Sequence, residues 1–206
     1  MVILTLLLFL TSTTHAASAA QTCPKCGSAE IPYPLSISPS CGNPSYRLFC
    51  NNGTLEFPSP SGFNYTVLSI NPNASKLIVA PASIRKPTCK SADIELGGLR
   101  LDEDSPFNIS THNTVMLFNC SDNVLLSPMD CSAASPCRMF EEEVEEGSGC
   151  RNTLCCSFHK DASITSHMIR VRVGGCTAYT SVVDMKTDDP AGSWGYGVEL
   201  QWLPPN

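Results

Sequence analysis

The sequence holds few side chains whose types and spacing would support catalysis. Three histidines follow the first 20 residues: His112, His159 and His167. None stands in the H-E-x-x-H spacing that places two zinc ligands on one helix face, and no G-x-S-x-G nucleophile motif occurs. Paired carboxylates for glycoside hydrolysis stay open, because they are defined by a separation in space. We predict no catalytic residues, and we interpret these histidines as surface residues.

Cysteine is the most informative residue type. The chain contains 12 cysteines, an even number, all beyond residue 20. A nucleophile or metal ligand needs a free thiolate, whereas an even set in a secreted chain is typical of disulfides. The count does not give the connectivity, although Cys41 to Cys50 and Cys131 to Cys137 are plausible short closures. The cysteines predicted to form disulfides are Cys23, Cys26, Cys41, Cys50, Cys89, Cys120, Cys131, Cys137, Cys150, Cys155, Cys156 and Cys176.

Three local motifs allow other chemistry. Cys23-Pro-Lys-Cys26 resembles half of a zinc site or a redox motif, but a structural zinc site needs four ligands and no second C-x-x-C occurs. Adjacent Cys155 and Cys156 form either a vicinal redox disulfide or, as we favour, bonds to separate partners. The acidic run at 141–146 lacks EF-hand spacing, so we favour a solvated surface segment over a Ca²⁺ site. We predict no metal site.

The first 20 residues are typical of a secretory signal peptide, although no basic residue precedes the apolar run. Residues 1–10 are uncharged and apolar, and cleavage is expected after Ala16 or Ala20. The run is shorter than the roughly 20 apolar residues that span a bilayer, and no second such run follows. We predict a secreted, extracellular protein without a transmembrane segment in this chain. A buried N-terminal strand is the alternative.

N-glycosylation signals support the extracellular prediction. Five N-x-[ST] sequons lie within 52–121, which predicts a sugar-coated surface on that half of the chain. The last of them is doubtful, because the adjacent Cys120 is expected in a buried disulfide. The predicted glycosylation sites are Asn52, Asn64, Asn73, Asn108 and Asn119.

Charge excludes one class of partner. A net charge of -6 does not suit a general nucleic-acid binder, which needs a basic field. Two small basic groups are suited to pairing with ligand carboxylates, with isolated solubilising charge as the alternative, and two aromatic rings offer flat faces to sugars. Trp202 is expected in the core instead. The candidate ligand-binding residues are Arg85, Lys86, Lys90, Arg170, Arg172, Tyr33 and Trp194.

The elements that must position these residues are predicted to be strands. Residues 168–173 and 198–203 alternate between apolar and polar side chains, as in half-buried strands. Short apolar runs bounded by turn residues predict further strands over 65–70, 76–79, 114–118 and 179–185.

One helix is predicted over 137–146, entered through Ser135-Pro136, because proline suits the first helical turn. The sequence therefore predicts a mainly all-β, disulfide-rich chain with small antiparallel sheets in two lobes and few short helices. We expect a signal peptide over 1–20, a first lobe over 21–120 and a second lobe over 121–206.

An ordered series of motifs runs through the chain. Cys23-Pro-Lys-Cys26-Gly27 is followed by Ile31-Pro-Tyr-Pro-Leu35, Cys41-Gly42 and Tyr46-Arg-Leu-Phe-Cys50. This progression resembles the galacturonan-binding domain of plant wall-associated receptor kinases, and Phe118-Asn-Cys-Ser121 resembles a later element of the same domain. Residues 155–202 look like the cysteine-rich segment of the wall-associated kinase-like branch.

The resemblance implies a polysaccharide-binding module of the plant cell wall. Its implied ligand is pectin (polygalacturonan), and its implied location is the apoplast, or the plasma membrane surface within a full receptor. The sequence contains neither the G-x-G-x-x-G-x-V loop nor the H-R-D motif of protein kinases, so we expect no phosphorylation by this polypeptide. The alternative is a secreted protein-interaction module that binds a peptide or receptor and no glycan.

The net negative charge of an acidic protein opposes the binding of a polyanion. Binding then needs a local basic patch, Ca²⁺ bridging between carboxylates, or contacts to sugar rings and hydroxyls. We expect Arg85, Lys86 and Lys90 to contribute, because they form the densest basic group in the first lobe. No cofactor is otherwise expected.

Overall fold

The computed structural model describes residues 22–121, 129–143, 147–160, 168–169 and 175–205. The expected signal peptide lies outside the described residues. So do His167, Arg170 and Arg172, together with most of the strand predicted over 168–173.

The described part of the chain is mainly β-structure, as predicted. One α-helix, α1 (Pro136–Glu143), coincides with the start of the predicted helix, and four 3₁₀ turns cover Pro44–Tyr46, Pro72–Ala74, Ile94–Leu96 and Ala191–Ser193. The strands in chain order are β1 (Phe49–Asn51), β2 (Thr54–Pro58), β3 (Asn64–Asn71), β4 (Lys76–Val79), β5 (Ile84–Arg85), β6 (Lys90–Ser91), β7 (Phe107–Ile109), β8 (Asn113–Phe118), β9 (Cys156–His159), β10 (Ala178–Val183) and β11 (Val198–Trp202).

The strands form two main antiparallel sheets and one hairpin. The larger sheet has the order β1-β2-β3-β4-β11-β7, the smaller sheet has the order β10-β8-β9, and β5 pairs with β6. The first four strands are consecutive neighbours, as in a simple meander. The last strand, β11, then inserts between β4 and β7. Strands from both sides of the boundary expected at residue 121 therefore enter both sheets, since β8 precedes it and β11 follows it.

Two clusters of buried apolar residues separate the layers. The large core fills the space between the two sheets, with Leu55 and Tyr65 from the larger sheet and Val115 and Leu117 from β8. The small core lies on the other face of β8 and includes Phe118 and, from α1, Phe140. Every residue of β8 is buried, because successive side chains of one strand point into different cores.

Glu199 is buried within β11, although the alternating sequence pattern predicts that it is exposed to solvent. Its burial follows from the central position of β11 in the larger sheet. Its Oε1 lies 2.9 Å from Nζ of Lys76 on β4 and accepts a hydrogen bond of 2.6 Å from Ser110. A buried carboxylate needs such partners, because leaving it unpaired costs several kcal/mol.

A second buried polar cluster joins the two sheets. The hydroxyls of Tyr65 on β3 and Tyr179 on β10 each donate a hydrogen bond of 2.6 Å to Oδ2 of Asp93. Asp93 has no exposed surface. Burial raises the pKa of both tyrosines, and the Asp93 carboxylate adds to the effect. Both hydroxyls therefore remain protonated donors.

All twelve cysteines form disulfides, as predicted, but both closures that looked plausible from short spacing are wrong. Cys41 bonds to Cys23 rather than to Cys50, because the chain turns back before β1. Cys131 likewise does not bond to Cys137. The six disulfides are Cys23–Cys41, Cys26–Cys50, Cys89–Cys150, Cys120–Cys176, Cys131–Cys156 and Cys137–Cys155.

The adjacent Cys155 and Cys156 bond to different partners, as expected, because successive residues of an extended segment face opposite sides. The Cys23-x-x-Cys26 pair is likewise divided between two disulfides. Across the portion of the chain that the structure describes, no helix has the length and apolar character needed to span a membrane.

Candidate carbohydrate-binding groove

A groove opens where β2 and β3 separate. Their pairing runs from Pro58↔Asn64 to Glu56↔Thr66 and ends there. The rest of β3 pairs with β4, and a bulge between Val67 and Ser69 shifts the register. A bulge bends a strand and increases its twist, which turns this half of β3 away from β2. The separation leaves a cavity of about 510 Å³.

A tight turn forms the end wall of the groove. Cys26 and Ala29 exchange two backbone hydrogen bonds of 2.9 Å. Gly27 has a φ of +56° and lies so close to Gly53 that a Cβ at Gly27 would collide with the Gly53 carbonyl oxygen. Only glycine meets both requirements at this position. The Cys26–Cys50 disulfide ties the turn to β1, so the wall is fixed to the sheet.

The lining combines apolar surface with small polar groups. Leu68 is the bulged residue, and it is 53% exposed. Such a lining offers apolar faces to sugar rings and hydroxyl or backbone groups to sugar oxygens. The lining residues are Cys26, Ser28, Ala29, Glu30, Pro32, Gly53, Thr54, Leu55, Val67, Leu68, Ser69, Ile70 and Pro72.

One ion pair stands at the groove. Glu30 lines it, and Oε1 of Glu30 lies 2.8 Å from Nζ of Lys25. Both side chains are well exposed. The hydrogen bond from Lys25, together with its positive charge, lowers the pKa of the Glu30 carboxyl. Glu30 is therefore ionised at neutral pH, and Lys25 already holds a carboxylate.

Two other cations near this region are engaged elsewhere. The Arg47 guanidinium lies over the ring of Phe49, 5.1 Å from its centroid, which is a cation–π geometry. Lys76 is mostly buried against Glu199. Lys25, which does not itself line the cavity, pairs with a solvated carboxylate.

The predicted basic group lies on a separate hairpin, away from the groove. Arg85 on β5 stands directly opposite Lys90 on β6, so the pairing brings these side chains together. Both are exposed, as is Lys86. One guanidinium nitrogen of Arg85 donates to the Ala92 carbonyl at 3.3 Å. The hairpin joins the rest of the molecule through Cys89–Cys150.

The two predicted aromatic ligand residues differ in exposure. Tyr33 is 54% exposed, as a sugar-stacking ring requires. Trp194 is only 7% exposed; its Nε1 donates to the Asp189 carbonyl, and its ring packs near Tyr196. The Trp194 ring is therefore packed in the small core, and it lacks the exposed face that the predicted contact with a sugar requires. Trp202 is buried in the large core, as expected.

Two predicted glycosylation sites flank the groove. Asn52 and Asn73 are exposed and adjoin the lining residues Gly53 and Pro72. Asn64 is exposed as well, whereas Asn108 is half-buried. Occupancy at these four sites stays a prediction.

The Asn119 side chain is engaged within the protein, and its glycosylation also stays a prediction. The Nδ2 atom, to which a glycan would attach, donates a hydrogen bond of 2.9 Å to Oγ1 of Thr177. The neighbouring Cys120 is bonded to Cys176.

The acidic run is not a uniformly solvated segment. Glu141 is buried, and its Oε2 accepts a hydrogen bond of 2.7 Å from Arg138 one turn earlier. Burial raises the pKa of the Glu141 carboxyl despite this partner. Glu142 is exposed, and residues 144–146 lie outside the described range. Within the described residues, no group of three or more His, Cys, Asp or Glu side chains is placed to hold a metal ion.

Comparison with known proteins assigns the region that contains the groove. Residues 22–81 match the wall-associated receptor kinase galacturonan-binding family. The match covers β1 to β4, the turn at 26–29 and the entire groove lining. The family is an extracellular binding domain, not a catalytic one.

The similarity extends over most of the chain. The chain is 39% identical to wall-associated receptor kinase-like 20 from Arabidopsis thaliana over 190 residues, which cover 89% of this chain and 29% of that protein. It is 35% identical to wall-associated receptor kinase-like 15 from the same plant, over 98% of this chain and 33% of that protein. The chain therefore spans about a third of the length of these relatives. No solved structure gives a significant match.

Sequence reasoning missed the groove, although one local signal pointed to it. Asn52-Gly53, both with positive φ, forms the two-residue connection between β1 and β2, and this dipeptide is a strong hairpin signal. Recognising it would have placed Gly53 and Thr54 at a strand end. The separation of β2 from β3 depends on a bulge at Leu68, for which the sequence carries no comparable mark.

Proposed function

We propose that this protein is an extracellular polysaccharide-binding module of the plant cell wall, and that it recognises pectic polygalacturonan in the groove between β2 and β3. The observation that carries the proposal is the position of the groove, which lies wholly within the galacturonan-binding family region. The proposed location is the apoplast, or the outer face of the plasma membrane where the module forms part of a receptor.

The charge distribution supports a polyanionic ligand in this region. Residues 22–81 contain three basic residues, Lys25, Arg47 and Lys76, and two acidic ones, Glu30 and Glu56. Their formal net charge is +1, within a chain whose net charge is -6. The net charge of the region where the ligand is proposed to bind therefore does not repel a polyanion, unlike the net charge of the whole chain.

The shape of the groove supports an oligosaccharide rather than a single small ion. A cavity of about 510 Å³ lies within the usual range for organic ligands. Its apolar walls are available for sugar rings, and Ser28, Thr54 and Ser69 are available for hydroxyl groups. The basic hairpin of Arg85 and Lys90 is proposed as a secondary contact for a longer chain, because it lies outside the groove.

Calorimetry on the secreted, disulfide-bonded protein tests this proposal. We expect saturable binding of defined oligogalacturonides that weakens with added salt, and the titration is repeated with Ca²⁺ to test bridging. Leu68→Asp places a carboxylate in the groove and is expected to weaken binding about tenfold, which is ~1.4 kcal/mol. Leu96→Asp is the matched control, because Leu96 is also exposed and the change in net charge is the same.

The variants also separate the two candidate surfaces. Equal affinity in the Leu68→Asp and Leu96→Asp proteins would remove the groove from the proposal. A large loss in the Arg85→Ala, Lys86→Ala, Lys90→Ala triple variant would transfer the site to the hairpin. Absence of binding by correctly folded wild-type protein would favour the alternative of a peptide- or receptor-binding module.

A further inference from the structure

We propose that Asn52 and Asn73 carry N-glycans that flank the wide end of the groove and restrict access to it, so that glycosylation regulates ligand binding. This regulation rests on the proposed function of the groove and adds a means of controlling it. The turns between the strands of the larger sheet place these two sequons at the same opening.

The groove is a wedge that widens toward one end of the larger sheet. Its narrow end is the last pair between β2 and β3, Glu56↔Thr66. Beyond this pair, residues 53–55 and 67–70 line the cavity and do not pair with each other. Because β2 and β3 are antiparallel, the start of β2 and the end of β3 lie at the same end of the sheet. The wide end of the groove therefore lies between the β1–β2 turn and the β3–β4 turn.

The two sequons occupy these two turns. Asn52 begins the two-residue connection between β1 and β2, and the adjacent Gly53 lines the groove. Asn73 is the middle residue of the 3₁₀ turn between β3 and β4, and the adjacent Pro72 lines the groove. One asparagine therefore stands at the tip of each side of the wedge, and glycans on both residues flank the same opening.

Both asparagines are available for modification. Each is exposed, and within the described part of the chain neither side-chain amide forms a hydrogen bond with another residue. The amide of Asn119, in contrast, donates to Thr177. An N-linked glycan is bulky and hydrophilic. A pair of them at the wide end fills space that a ligand must cross to enter the groove.

A third sequon lies at the opposite end of the same two strands. Asn64 is the first residue of β3 and pairs with Pro58 of β2. The narrow end of the wedge separates a glycan at this position from the opening. Asn64→Gln therefore removes a sequon from the same strands without clearing the wide end, which makes it the matched control.

Binding of one defined oligogalacturonide to the secreted protein tests the restriction, after mass spectrometry has measured glycan occupancy at each asparagine. Asn52→Gly removes the first sequon and keeps a residue that accepts the positive φ of this turn position. Combined with Asn73→Gln, it is expected to strengthen binding about threefold and to accelerate association, because a steric barrier to the ligand has been removed. Asn64→Gln is expected to change neither value.

The same proteins produced without N-glycans control for the substitutions themselves. Unglycosylated wild-type protein is expected to bind as tightly as the glycosylated double variant, and the double substitution is expected to have no further effect on it. A glycosylated wild-type protein that binds only after its glycans are removed would be the strongest support.

The outcomes separate this regulation from the proposed function. Absence of sugar at both Asn52 and Asn73 in the secreted protein would overturn the regulation, and so would equal binding by the glycosylated wild type and double variant; pectin binding would stand in either case. Weaker binding by the double variant would also overturn it, because the glycans would then contribute to binding. If wild-type protein binds the probe neither with nor without its glycans, the proposed function fails as well.

Discussion

The large core, which lies between the two sheets, contains 24 buried residues in the described part of the chain, two of them cysteines. The small core, between the smaller sheet and α1, contains 11, of which four are cysteines. A small set of apolar side chains buries too little surface to offset the entropy of folding, and secreted domains compensate with disulfides. Apolar side chains therefore dominate the large core, whereas disulfide-bonded cysteines make up a larger share of the small core.

Removing one disulfide beside each core is expected to have the largest effect on stability. Cys89–Cys150 joins residues 61 apart beside the small core, whereas Cys23–Cys41 joins residues 18 apart on the groove side. In the chain-entropy model, the double serine variants lose about 4 and about 3 kcal/mol of unfolding free energy, respectively. Denaturant titration measures both values. A larger loss for the shorter link would show that the small core is not the side that depends on its disulfides.

Two tyrosine hydroxyls beside the two cores are expected to contribute unequally to stability. Tyr65→Phe removes one of the two donors to the buried Asp93 carboxylate and is expected to cost about 1–3 kcal/mol. Tyr196→Phe removes a hydroxyl that donates to the Ala191 carbonyl beside the small core, and is expected to cost about 1 kcal/mol. Urea unfolding of both variants provides the test. Equal losses would mean that the link between the sheets is no stronger than an ordinary hydrogen bond.

Alkaline pH probes the same link without a substitution. The pKa values of Tyr65 and Tyr179 are raised in the folded protein, first by burial. Their contribution to stability is therefore complete below the unfolded tyrosine pKa of about 10, and it is lost as the pH rises above that value. We expect the melting temperature to fall above about pH 10, and to fall less in a Tyr65→Phe, Tyr179→Phe variant. Identical pH profiles would show that these two hydroxyls do not control the alkaline transition.

The local part of the fold was accessible from sequence. The apolar run at 114–118, the alternation at 198–203 and the proline-initiated helix each correspond to an observed element. Apolar periodicity indicates which face of a helix or strand is buried, because it depends only on residues that are close together in the sequence. The fold class followed from these elements together with the cysteine count.

The pairings between distant segments were not accessible. The sequence pattern predicts that Glu199 is an exposed residue of an alternating strand, because the residues near it in sequence do not indicate that Lys76 and Ser110 contact it. The disulfide connectivity failed for the same reason, since short spacing favoured pairs that the turn before β1 separates. The groove was overlooked because it is formed by the far end of β3 and by a turn that is distant from it in sequence.

The insertion of β11 between β4 and β7 has a consequence for biosynthesis. Chains emerge from the ribosome N-terminus first, at about 5–20 residues per second. The segment that contains the groove is therefore complete early, yet its sheet lacks an inner strand until residues 198–202 have been translocated. In the interval, β4 presents an unpaired edge, and six disulfides must avoid premature closure. We expect the nascent chain to depend on lumenal chaperones and disulfide isomerase until its last strand arrives.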